Sequence, residues 1–143
     1  MVFEHHVDVR YLEVDQQGVV FNMWYLAWFD DAMTAWLEAR GLPYERLTDS
    51  GHDVMLVRTE IDWTGGVGWR DDVRIAVALA RLGTTSFALD FEVRRAAAPV
   101  CSGRTTYVCV ATDGSGKRPI PPLLSSALGR PSPLRPLVEE PAQ

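Results

Sequence analysis

The chain is poor in the features that most directly assign a function. Two cysteines occur in 143 residues, Cys101 and Cys109. On one straight strand their α-carbons would lie about 26 Å apart at ~3.3 Å per residue. That is too far for a disulfide between them, so both read as small core residues in a reducing compartment. Basic charge is also scarce: 14 Lys and Arg face 19 Asp and Glu, for a net charge of -5. Such a field repels polyanions, so no nucleic-acid partner is expected. No stretch approaches the ~18 consecutive apolar residues of a spanning helix, and Met1 to His6 lacks the basic-then-apolar pattern of a secretory leader. The expectation is a soluble, cytoplasmic protein with no membrane partner. A G-x-S-x-G elbow, a P-loop and a dinucleotide fingerprint are all missing, which argues against serine hydrolase and nucleotide chemistry; Gly114-Ser115-Gly116 reads as a turn. His5 and His6 alternate across a strand and His52 stands alone, so no metal site is expected.

What is present fits one domain with one core. Phe3 to Tyr11 alternates, with Val7, Val9 and Tyr11 opposite His6, Asp8 and Arg10, which predicts a half-buried strand. From Asn22 to Arg40 the period becomes helical. Leu26, Phe29, Met33 and Trp36 form one ridge, and Tyr25, Trp28, Ala32, Ala35 and Ala39 form a second beside it. Two adjoining apolar ridges predict a largely enclosed helix, with Asp30, Asp31, Thr34 and Glu38 confined to one stripe. Gly41 and Pro43 end it. Four alternating runs follow, beginning near Met55, Val73, Ser86 and Val100, and short connections suggest an antiparallel meander. Seven of the nine prolines lie at or after Pro119. The expected domain covers residues 1–128, and 129–143 reads as a Pro-rich, mobile tail or a segment packed on a neighbouring subunit.

Strand, enclosed helix, then four antiparallel strands is an α+β order that suits a curved sheet of about five strands wrapped around one long central helix. The run Arg10-Tyr11-Leu12-Glu13-Val14-Asp15-Gln16-Gln17-Gly18-Val19-Val20-Phe21-Asn22, continuing through Tyr25 to Phe29, resembles the signature of the 4-hydroxybenzoyl-CoA thioesterase family, which has the hotdog fold. Glu60 to Trp63, Gly68 to Asp71 and Lys117 to Pro121 resemble that family's later strands and C-terminal motif. The likeness spans residues 3 to 128. It implies an acyl-CoA thioesterase that uses no cofactor and no metal. It further implies Asp15 as general base or nucleophile, and the backbone N–H of Asn22 as the donor that polarises the thioester carbonyl. Three positions depart from the family pattern: Asn22 replaces a histidine, Trp24 a small residue or Asn, and Met33 a helix arginine.

Thioester hydrolysis needs a base or nucleophile beside the carbonyl carbon and donors aimed at the oxygen that becomes negative. A helix N-terminus near Asn22 offers unpaired N–H groups and about half a positive charge. Gly18 lets the chain turn sharply between Asp15 and Asn22. The competing reading of Asp15 is a turn cap. Glu13 is the nearest rival carboxylate, with Asp30 and Asp31 on the helix as further candidates. Val20, Trp24, Tyr25 and Trp28 are candidate substrate-lining residues, and the aromatic ones serve equally well as core. Arg58, Lys117 and Arg118 are candidate cations for the phosphates of coenzyme A. Exposed sheet edges predict at least a homodimer with sites near the subunit interface, and the resemblance to the family implies a homodimer or homotetramer. Two other readings stay open: a thioesterase for acyl carrier protein, and a non-catalytic acyl-CoA-binding hotdog domain.

Overall fold

The computed structural model describes residues 3–135. Strand β1 spans Phe3–Val7, helix α1 Trp24–Ala39 and helix α2 Tyr44–Asp49. Strands β2 (His52–Trp63), β3 (Val73–Leu82), β4 (Ser86–Arg95) and β5 (Ala98–Ala111) follow, and helix α3 spans Pro122–Leu128. The strands form one antiparallel sheet in the order β1-β3-β4-β5-β2. Helix α1 lies on its inner face, where Phe29 stacks on Phe91 with ring centroids 4.5 Å apart. This is the expected hotdog arrangement, a sheet wrapped on one long helix.

Three local expectations are corrected. Strand β1 stops at Val7 instead of running to Tyr11, because the Glu13 carboxylate accepts the Arg10 N–H at 2.6 Å and draws the chain into a 3-10 turn over Tyr11–Glu13. The four later strands are not one meander: β3, β4 and β5 are neighbours, whereas β2 pairs with β5 and lies at the edge opposite β1. The alternation of β2 is also broken, by a bulge between Leu56 and Arg58. Leu56 therefore shares the inner face with Ile61 and Trp63, and Met55 turns to the outer face. The helix is enclosed on one side. Tyr25, Trp28, Phe29, Ala32, Met33, Trp36 and Leu37 are buried, while Ala27, Asp30, Asp31, Thr34, Glu38 and Ala39 are exposed.

Both cysteines are free and buried on the inner face of β5. Burial pushes the Cys101 thiol up to about 12. Gly103, between them, has α1 directly above: a Cβ there would meet Phe29 Cε2 at 2.6 Å. Helix α3 and the segment after it close the structure. The Ser132 N–H donates to the Leu79 carbonyl at 2.7 Å, and the Leu134 and Arg135 N–H groups both donate to Asp90 on the sheet's outer face. Ser132, Leu134 and Arg135 are thus bonded to the sheet, and the rest of the expected tail, 136–143, lies outside the described residues.

Candidate active site

Asp15 sits in a tight two-stranded turn between β1 and α1. Val14 bridges Val20, the Asp15 N–H donates to the Val19 carbonyl at 2.9 Å, and the Phe21 N–H donates to the Glu13 carbonyl at 3.0 Å. Gly18 closes the turn at φ +80°, a conformation that favours glycine, and its N–H donates to the Asp15 carbonyl at 3.0 Å. A Cβ on Gly68 of the neighbouring loop would lie 3.2 Å from the Gly18 carbonyl, and the Val20 N–H donates to the Val67 carbonyl. The β2–β3 loop therefore backs the turn on one side.

The carboxylate of Asp15 is half-buried, and one of its oxygens accepts the Gln17 N–H at 2.8 Å. The turn-capping reading thus describes one oxygen. Among the described residues no donor takes the other. Around it Gln16, Gln17, Gly18, Val19, Phe21, Asn22 and Met23 are all exposed. Asp15 lines neither the cleft of about 330 Å³ beside His5, Arg10, Trp28 and Asp31 nor the groove of about 460 Å³ beside Trp69 and Arg70. In one protomer the carboxylate opens onto a surface.

Helix α1 starts two residues after Asn22, with Met23 at its N-cap and no side chain capping it. The Trp24 N–H donates to the Phe21 carbonyl at 3.0 Å and the Tyr25 N–H to the Asn22 carbonyl at 3.3 Å. Among the described residues no protein acceptor takes the N–H of Asn22 or Met23. These two free donors make a corner at the N-terminal, positive end of a 16-residue helix. Asn22 lies one residue past Phe21 of the Glu13–Phe21 pair, away from the turn tip, and Asp15 two residues past Glu13, toward the tip, so about 10 Å of ribbon separates them.

The remaining candidate residues are scattered. Val20, Tyr25 and Trp28 are 2%, 0% and 4% exposed; all three belong to the core of the protomer, and Trp28 also lines the cleft beside His5 and Arg10. Tyr25 packs edge-on against Trp63, and burial raises its phenol to about 12. Trp24 is half-buried with the Arg10 guanidinium 5.3 Å from its ring centroid. Arg58 is paired with Glu60 at 2.6 Å. Lys117 bridges Val110 at the far end of β5, and Arg118 lies beside it. Val110 is nine residues from Cys101, so within one protomer about 30 Å of strand separates these cations from the Asp15 end.

Of the rival carboxylates, Glu13 is 2% exposed and bonded to Trp28 and Arg10. Asp31 is exposed. Asp30 is exposed overall, yet its carboxyl lies 3.5 Å from the buried Tyr107 hydroxyl, and burial raises it above the ordinary carboxylate range. Two exposed apolar residues that the sequence did not mark, Phe21 and Met23, flank Asn22 at 52% and 62% exposure. Nothing in their residue types separates them from core positions, because the loop has no periodicity.

The fold defines a class, the hotdog-fold thioesterases. The chain belongs to the thioesterase-like superfamily, whose sequence profile matches residues 9–128. It is similar to the 1,4-dihydroxy-2-naphthoyl-CoA hydrolase of Synechococcus elongatus, at 25% identity over 122 residues that cover 84% of this chain and 90% of the relative. Among solved structures, a hypothetical protein from Thermus thermophilus superposes with a TM-score of 0.82 at 27% identity, covering 87% of this chain and 95% of that one. A 1,4-dihydroxy-2-naphthoyl-CoA thioesterase from Synechocystis superposes with a TM-score of 0.80 at 23% identity, covering 90% and 96%. The protein is a thioester hydrolase.

Proposed function

We propose that the chain hydrolyses an aryl- or acyl-CoA thioester to the free acid and coenzyme A, in the manner of the 4-hydroxybenzoyl-CoA thioesterases that its loop resembles. The observation that supports this reading is an unengaged oxygen of Asp15 on the same turn as the free N–H groups of Asn22 and Met23, about 10 Å along the ribbon. A near-attack contact of about 3 Å and a hydrogen bond of about 2.9 Å, joined through a thioester carbonyl and the Asp side chain, bridge a ~10 Å gap. As a base, Asp15 takes a proton from water while the hydroxide oxygen bonds to the carbonyl carbon. The oxyanion forms at the Asn22 corner, the C–S bond breaks, and the thiolate leaves to be protonated. As a nucleophile, Asp15 forms a mixed anhydride that water then cleaves. Losing one oxyanion donor typically costs ~3 kcal/mol. The 1,4-dihydroxy-2-naphthoyl-CoA hydrolase among the relatives favours a hydroxyaryl acyl group, and exposed Phe21 and Met23 offer apolar surface beside the corner.

An open site needs a cover, and a second copy is the proposed one. The free edge of β2 exposes Met55, Leu56 and Val57 at 55%, 41% and 54%. Antiparallel pairing of two such edges about a two-fold axis sets the His52 end of one strand beside the Trp63 end of the other. The partner's Lys117 and Arg118, carried near that His52 end, would then approach Asp15 and could take the coenzyme A phosphates.

The test is thiol release from hydroxyaryl, aryl and aliphatic CoA thioesters and from the same acyl groups on acyl carrier protein. Fastest turnover of hydroxyaryl-CoA supports the reading. Preference for carrier protein would replace it with the carrier thioesterase, and tight binding without turnover with a non-catalytic domain.

A further inference from the structure

Glu13 is an unusual residue to bury. Its neighbours Tyr11 and Leu12 are 73% and 62% exposed, whereas Glu13 itself is 2% exposed. Burying a carboxylate is costly unless donors meet it, and here they do. The Arg10 N–H donates to Oε1 at 2.6 Å, the Trp28 indole N–H to Oε2 at 3.0 Å, and the Arg10 guanidinium to Oε2 at 3.3 Å. The backbone carbonyl of the same residue accepts the Phe21 N–H at 3.0 Å. One residue therefore holds both arms of the turn and the first turns of α1. Its side chain reaches Trp28 in the helix, its carbonyl reaches the residue before Asn22, and Asp15 follows it by two positions.

From this geometry we propose that Glu13 is a positioning residue for hydrolysis: its carboxylate fixes the distance between the Asp15 carboxylate and the Asn22 corner by clamping the turn to Trp28. This rests on the assignment of Asp15 and Asn22 to the reaction. Packing alone would be served by an apolar residue at this site; a carboxylate presents two acceptor oxygens, one for a helix indole and one for the N–H of Arg10 at the start of the 3-10 turn. Displacing one reacting group by about 1 Å can cost on the order of 100-fold in rate, so the clamp's effect belongs in kcat and not in KM.

The experiment is a double-mutant cycle of Glu13→Gln and Trp28→Phe, with kcat, KM and Tm measured for each variant. A Gln side chain has the size of Glu but presents an amide donor to either Trp28 or Arg10, and Phe removes the indole donor while keeping most of the ring. The expected result is at least a tenfold fall in kcat for Glu13→Gln with KM within about threefold, and a double variant no slower than the worse single one. Leu124→Ala in α3 serves as the stability control, because Leu124 is 0% exposed and belongs to a different element. Its Tm should fall while kcat holds. The proposal is overturned if Glu13→Gln keeps kcat within twofold, if the two losses simply add, or if Leu124→Ala loses kcat in proportion to its Tm. Should Glu13→Gln fail to fold, Trp28→Phe against the same control decides alone. Asp15→Asn runs alongside: if it retains turnover the catalytic reading of Asp15 fails, whereas an inactive Asp15→Asn with a fully active Glu13→Gln fails the clamp only.

Discussion

One oxygen of Asp15 accepts the Gln17 N–H and the other has no partner among the described residues, so capping and catalysis do not compete for the same atom. Sequence spacing offered those roles as alternatives because it cannot assign individual oxygens. The carboxylates on α1 are distinguished by burial. Asp30 lies against the Tyr107 hydroxyl and its carboxyl is raised above the ordinary range, chiefly by desolvation. A raised carboxyl contributes stability below its unfolded pKa and loses it as pH rises through the folded value, so at pH 7 the Asp30 charge is a net cost. Asp30→Asn, which keeps an acceptor for Tyr107, should raise Tm at pH 7 and raise it less at pH 4. A lower Tm at pH 7 would contradict this. Glu13 could not be read as buried from the sequence, because it stands in a non-periodic loop after two exposed residues, Tyr11 and Leu12, and its donors come from Arg10 and from Trp28, fifteen positions on.

Helix α1 and strands β3 to β5 were legible because their apolar periods, 3.6 and 2, match the faces they bury. Strand β2 was legible in extent and not in facing: the bulge between Leu56 and Arg58 adds one residue and reverses the alternation before it, which no residue type announces. Helices α2 and α3 span only Tyr44–Asp49 and Pro122–Leu128, too short for a period to show. Contact between α1 and the sheet depends on the missing side chain at Gly103, since a Cβ would lie 2.6 Å and 3.0 Å from two Phe29 ring carbons. Phe29 is held in turn by its stack on Phe91, so it cannot give way freely. Gly103→Ala should therefore destabilise by about 1–3 kcal/mol, read as a lower denaturation midpoint at unchanged slope. No change in midpoint would mean that α1 lifts off the sheet without cost.

For the whole molecule, the strand order β1-β3-β4-β5-β2 leaves β2 with one free edge, and the Asp15 turn opens to solvent at the Trp63 end of the sheet. The outer face is crossed by residues 129–135, fixed by Asp90, which is 0% exposed and receives Arg104 at 2.7 and 2.9 Å besides two backbone N–H groups. Prolines and the lack of periodicity in 129–143 gave no sign of these bonds, because the carboxylate that accepts the Leu134 N–H is 44 positions away. Light scattering should show at least a dimer, and a charged residue at Val57 on the β2 edge should shift it toward monomer with loss of turnover. A fully active monomer would refute the shared site. The central claim is the catalytic role of Asp15, and the most direct measurement is steady-state thiol release by wild type and Asp15→Asn on the best CoA substrate. The account predicts a kcat loss of at least about 100-fold with KM within a few-fold, as expected for an interaction made in the transition state; Asp15→Asn turning over at the wild-type rate would contradict it.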